Sequence, residues 1–181
     1  MIEELEELEK LDKNFSEGTF LTKVDHIFIM ILNGIMDNDM TSVKHYLSNE
    51  VYEKFCKLTD KYISMKATRL FDEMNVSSTK ITNIDITDEE ILVHVNIESK
   101  YMDYLIDENG NFLSGVNDHR IVTNHNIIFS KKRNALSLSE IRRCPGCGAS
   151  LDLNDSAVCK YCNRPFDMSD YDYIVVDIDT F

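Results

Sequence analysis

Two Cys-x-x-Cys pairs, Cys144-Pro145-Gly146-Cys147 and Cys159-Lys160-Tyr161-Cys162, stand eleven residues apart near the end of the chain. Four thiolates are a complete tetrahedral shell for zinc, and each pair is short enough to reach one ion from a single turn. Each second cysteine is followed by a residue that tolerates positive φ, Gly148 in one half and Asn163 in the other, as a metal knuckle requires where it turns the backbone. The segment's apolar residues, Leu151, Leu153, Val158, Tyr161 and Phe166, are too few to fold it alone. A structural zinc site in a peptide contributes ~10–16 kcal/mol, which would supply the missing stability.

Other uses of the cysteines fit less well. A thioredoxin-type pair needs one motif beside a βαβ unit, and here there are two motifs and no such pattern. Covalent haem needs His after the second cysteine, where Gly148 and Asn163 stand. A disulfide framework is disfavoured by the odd fifth cysteine, Cys56, and by the want of an export signal. Iron in a rubredoxin-like site uses the same knuckles and stays open. Four protein ligands leave no position for a catalytic water, so the expectation is a structural Zn²⁺ held by Cys144, Cys147, Cys159 and Cys162.

A formal charge of −13 repels nucleic acid and anionic lipid unless positive charge is gathered locally. Lys131, Lys132, Arg133, Arg142 and Arg143 do gather before and around the first knuckle, opposed only by Glu140. They read either as a solvated hairpin flank or as a docking patch for an acidic partner or lipid headgroup. Aromatic residues do not interleave with them, so nucleic acid is not an expected partner; membrane-surface contact stays open, without support from the net charge. The acidic start, Met1 to Lys10, is the reverse of a basic secretory n-region. The longest apolar run, Ile27–Leu32, is far short of the ~20 residues that cross a bilayer. With reduced cysteines, these features make the cytoplasm the expected location.

Residues 1–13 read as a charged, partly helical lead-in. Ser16 is placed to cap a helix, with Phe15 and Phe20 at the two positions of a hydrophobic staple. Phe20, Val24, Ile27, Phe28, Ile31, Leu32 and Ile35 then recur at helical spacing, which predicts a central buried helix bearing a satisfied or exposed His26. A short helix is expected from Asn38-Asp39 through Leu47. A third is expected behind Ser48, with Val51, Phe55, Leu58, Tyr62 and Met65 on one side and Cys56 beside them as a small buried hydrophobe. From about Val76 the period becomes two. Ile91, Val93, Val95 and Ile97 mark a long half-buried strand, Glu108-Asn109-Gly110-Asn111 a tight turn, and Ile121–Ser130 another strand. Tyr171 to Phe181 alternates again, with Ile174, Val176 and Ile178 on one side and Tyr173 and Val175 on the other. Helices followed by strands indicate α+β, with helices on one face of an antiparallel sheet. A strand after the cysteines makes the zinc ribbon an insert before the last strand. The expected division is 1–13 lead-in, 14–137 with 169–181 as the α+β domain, and 138–168 as ribbon.

The segment Asp12-Lys-Asn-Phe-Ser-Glu-Gly-Thr-Phe-Leu-Thr-Lys-Val24 resembles the opening of the matrix domain of the mitochondrial import-motor anchor, the Tim protein named for forty-four kilodaltons. Tyr101-Met-Asp-Tyr-Leu-Ile-Asp107, followed by Asn-Gly and a basic strand end, is similar to bacterial members of that family that also carry a zinc ribbon. The resemblance spans roughly residues 12–181. It implies a curved antiparallel sheet cupping two or three helices, the cone fold shared with nuclear transport factor two and ketosteroid isomerase, and a cavity that often lies inside it. It further implies a domain that associates with membrane surfaces and holds import components, and it allows a homodimer through the exposed sheet faces. The chain departs from the mitochondrial members in its acidity and in lacking a basic targeting segment.

Because cone folds host isomerases and dehydratases, three residues need weighing as enzyme groups. His94 lies in the polar register of its strand and faces away from the helices. Tyr101 continues the apolar register of Ile97 and lines any pocket there, and His125 sits in a strand whose inward register the pattern leaves open. No phosphate loop, nucleophile elbow or carboxylate pair accompanies them. The expected function is a non-catalytic zinc-binding domain for protein or lipid interaction, a scaffold. A carrier of a small apolar ligand, or an isomerase- or hydratase-type enzyme using the sheet–helix cavity, is the alternative, and a thiol redox sensor is a third reading.

Overall fold

A computed structural model describes residues 2–135, 144, 147, 149, 159–163 and 171–179. Three helices, α1 (Ile2–Leu11), α2 (Glu17–Met36) and α3 (Asn49–Ser64), precede and cover four strands, β1 (Ala67–Ile86), β2 (Glu90–Asp107), β3 (Phe112–Lys132) and β4 (Ile174–Ile178). The strands form one open antiparallel sheet in sequential order. This is the expected α+β arrangement, with the cysteine module lying in the chain between β3 and β4.

α2 begins where Ser16 leaves the extended region, and Phe15 and Phe20 meet with ring centroids 5.3 Å apart. Val24, Ile27, Phe28, Ile31, Leu32 and Ile35 are wholly buried. By length and composition α2 could cross a bilayer, but that apolar face is the core of this fold. Ser48 caps α3 by accepting from the Val51 amide, and between α2 and α3 the chain makes only a 3₁₀ turn, Lys44–Tyr46. α1 is more than a solvated lead-in, because Leu8 is fully buried in the same core.

β2 is the regular strand of the sheet. Ile91, Val93, Val95, Ile97, Ser99 and Tyr101 are all buried, and the residues between them are half-buried. The β2–β3 turn is closed by the Asp107 carboxylate, which accepts from the Asn109 and Asn111 amides, both at 2.8 Å, with Gly110 at φ 82°. β1 starts nine residues earlier than the alternation in the sequence announces. α3 ends through an αL residue that is not glycine, Lys66 (φ 52°), so the usual stop signal is absent. Early β1 also hides its period: Ala67 and Phe71 are buried, but between them Arg69 uses its place for an ion pair with Asp103. Met65 accordingly lies beyond α3 and is exposed.

Bulges interrupt β1 between Asp72 and Asn75, Val76 and Ser78, and Ile81 and Asn83, and such insertions bend a strand and raise its twist. A further irregularity falls in β4 and corrects its expected alternation. Phe129 pairs with Val175 and Ile128 with Asp177, leaving Val176 as the extra residue. Val175 and Ile178 both point into the core, while Val176 is only half-buried. The outer side of β4 is closed rather than left as a bare edge. The Ser48 amide donates to Val175 O at 2.8 Å, and Lys54 donates to Ile178 O at 2.6 Å.

Candidate functional site

The two knuckles converge. The Cys144–Cys162 and Cys147–Cys159 sulfurs are 3.6 and 3.7 Å apart, and all four lie within 4.8 Å of one another. These separations are far beyond a ~2.05 Å disulfide bond. Four sulfurs at ~2.3 Å from a central zinc would stand ~3.8 Å from each other, so the shell has the size of a tetrahedral thiolate site. Backbone bonds shape each turn: Cys144 N–H donates to Ala149 O at 2.7 Å, and Asn163 N–H donates to Cys159 O at 2.9 Å. Asn163 has φ 55°, the left-handed turn its identity predicts; Gly148 lies outside the described residues. Cys147 is pushed up to about 12, the Ala149 backbone lowering it while desolvation and its three cysteine neighbours raise it.

Cys144 and Cys159 are buried and Cys147 and Cys162 exposed. Tyr171 packs against the buried pair. Tyr161, expected in the module's small core, is instead 76% exposed, since it occupies the turn between Cys159 and Cys162. Leu151, Leu153, Val158 and Phe166 lie outside the described residues.

The described residues of the basic stretch, Lys131, Lys132 and Arg133, do not share one surface. Strand alternation turns Lys131 inward, where it is 9% exposed and its ammonium meets Asp12 Oδ2 at 2.7 Å. Lys132 alone of the β3 end faces outward. Arg133 folds back to donate to Thr87 O at 3.0 Å and Asp88 Oδ1 at 3.2 Å. The place of Lys131 in a docking surface is therefore corrected, because it is buried as an ion pair; Arg133 stays exposed while bonding the β1–β2 turn. Arg142 and Arg143 lie outside the described residues.

His94 is half-buried and bonds Asp85 at 2.9 Å, away from the helices as its register predicts. His125 points inward. Its Nε2 lies 3.0 Å from the Tyr101 hydroxyl, and its ring packs on Phe28 with centroids 5.2 Å apart. Burial first, and the Arg69 charge after it, hold the His125 pKa below its ordinary value against the pull of Asp179 and Asp103. Tyr101 is fully buried, with Phe71 edge-on to its ring. The space between sheet and helices is thus occupied by Phe28, Phe55, Phe71, Tyr101 and Phe129. A cavity of about 360 Å³ opens elsewhere, at the start of α2 beside Tyr171 and Tyr173. The sequence offered no sign of it, because its residues come from three distant segments.

Comparison with known proteins adds a decisive match: residues 2–140 fit the Tim44-like domain family. The chain belongs to the Tim44-like domain family. The match covers α1 through β3 and ends before Cys144, so the cysteine cluster and β4 lie outside the matched residues. Among solved structures, the intermembrane space region of the chloroplast protein ARC6 is similar at 6% identity, covering 88% of this chain and 94% of that one with a TM-score of 0.44. No curated protein matches the chain.

Proposed function

We propose that this Tim44-like domain is a non-catalytic interaction module whose cysteine cluster holds a structural zinc ion and presents the surface that a partner protein meets. The observation that carries the reading is the four-sulfur shell. A complete set of four protein ligands leaves no coordination position for a reacting molecule, so the metal's work is to hold a short segment in shape. Its place in the chain gives that shape a use. The module leaves β3 and returns to β4, whose Val175 and Ile178 are core residues, so a rigid knuckle is tethered to the sheet at both ends. The mutual bond of Tyr101 and His125 supports a core role for the two groups that a cone-type enzyme would use. The cytoplasm suits such a site, because thiols stay reduced there.

One variant tests both halves. Chain purified without added metal should carry about one zinc per molecule. Cys144→Ser should lose it, exchange the β4 amides faster while the α2 amides stay protected, and recover less cross-linked partner in the native host. Iron in place of zinc, or metal retained by the variant, would overturn the metal assignment. Partner recovery unchanged after metal loss would overturn the role of the module in binding.

A further inference from the structure

The cavity at the start of α2 has a chemistry of its own. Its floor is aromatic: Phe20 and Tyr173 meet at 5.2 Å between centroids, and Phe15 and Tyr173 at 5.9 Å. Its polar wall holds Lys23, Lys131, Asp12 and Asp172. Every oxygen of the two carboxylates is engaged. Asp12 Oδ1 accepts from the Asn14 amide at 3.2 Å, and Oδ2 accepts from Lys131 at 2.7 Å and the Tyr173 hydroxyl at 3.4 Å. Asp172 Oδ1 accepts from the Tyr173 amide and Oδ2 pairs with Lys23, each at 2.7 Å.

The ammonium groups are in the opposite condition. Each has three N–H donors. Lys23 gives one to Asp172 and one to Tyr173 O at 3.2 Å. Lys131, with only 11% of its side chain exposed, has a single oxygen acceptor among the described residues, Asp12. At the rim, the Ser16 side chain makes no capping bond to α2. Among the described residues the lining therefore has more donors than acceptors, and the largely buried Lys131 ammonium faces it. What completes it must bring acceptors.

We propose that this cavity is a binding site for a carboxylate carried on an aromatic body, the acid meeting Lys131 and Lys23 and the ring lying on Phe20 and Tyr173. Two lysines against two aspartates leave the lining neutral, so a monoanion unbalances it by one charge and a phosphate dianion by two. The volume, about 360 Å³, is near the small end of ligand pockets and suits one ring with a short arm. Free aryl acids and the C-terminal carboxylate of a chain ending in phenylalanine share this chemistry. The site is independent of the metal reading, though Tyr171 touches both.

The test is an NMR titration of the full, metal-loaded chain with phenylacetate, phenylacetamide, N-acetyl-alanyl-phenylalanine and inorganic phosphate. Saturable shifts at Phe15 to Lys23 and at Tyr173 are expected with the two acids, at least tenfold weaker with the amide and with phosphate. Whichever acid binds tighter identifies the source, small molecule or chain terminus. Lys131→Met should weaken the acids at least tenfold. Should that variant fail to fold, Lys23→Met and the acid-against-amide comparison in the unaltered chain decide. Equal binding of acid and amide, no saturable shift with either acid, or unchanged affinity in a folded lysine variant would overturn the proposal.

Discussion

Asp12→Ala removes the partner of a cation whose side chain is only 11% exposed. Lys131 and Asp12 are 11% and 10% exposed at the side chain, and their charged atoms are 2.7 Å apart. Breaking a buried pair by deleting one member costs about 3–5 kcal/mol, because the survivor stays buried without its counter-charge. The Tyr173 ring, whose centroid lies 5.3 Å from the ammonium, retains some attraction for it, which places the loss near the low end, about 3 kcal/mol. For a domain of this size ~2–4 °C follows each kcal/mol, so the melting temperature should fall by roughly 6–12 °C. The sign is diagnostic, since removing one negative charge from a chain at −13 would otherwise relieve repulsion. Lys131→Met should cost less, about 1–3 kcal/mol, because Asp12 keeps the Asn14 amide and the Tyr173 hydroxyl. The double variant should be about 2 kcal/mol or more better than the sum of the singles. Urea denaturation at neutral pH with matched m-values measures all three, with the exposed Glu9→Ala as the charge control. Additive singles, or an Asp12→Ala effect within ~0.5 kcal/mol of that control, would refute the buried pair and restore Lys131 as a surface residue.

Other outcomes follow from the same structure. Gly115 has φ 108°, and a Cβ there would overlap Asp103 O and come within 2.6 Å of Tyr104 Cα. Gly115→Ala should therefore cost more than Gly110→Ala, whose φ is also positive but whose surroundings are open; equal melting temperatures for the two would refute the steric reading. His125 is held below its ordinary pKa by burial, and His45 by burial and the Lys23 charge, so the unfolded chain takes up protons before the folded one does. Stability should be full above ~6.5, the unperturbed histidine value, and decline as pH falls below it. The urea midpoint should drop between pH 7.5 and 5.5, and the drop should shrink in His125→Gln. An undiminished drop in that variant would assign it to other groups.

The fold class was legible because the longest elements obey one rule each. α2 repeats its apolar residues at helical spacing, β2 alternates strictly, and the β2–β3 turn spells out its own Asx and glycine chemistry. Legibility failed where a residue had two obligations. Arg69 and Phe71 share early β1, so pairing with Asp103 erased the alternation. Lys66 ends α3 in a conformation glycine usually supplies. Val176 is displaced by a bulge that no local signal marks. Lys131 has the composition of a surface cation, yet strand alternation and Asp12, 119 residues away in sequence, bury it.

The sequence by itself determined the four-cysteine cluster, whose geometry could hold a metal ion. Ligand type, spacing and turn residues are all local, and a coordination shell made of two short knuckles needs nothing distant to be recognised. Tertiary structure alone decided what the basic stretch, His125 and the cavity are. Each depends on segments that the sheet brings together from far apart: Asp12 with Lys131, Tyr101 with His125, the start of α2 with the approach to β4. Long-range pairing sets burial, and burial decides whether a charged or titratable group is surface, core or site.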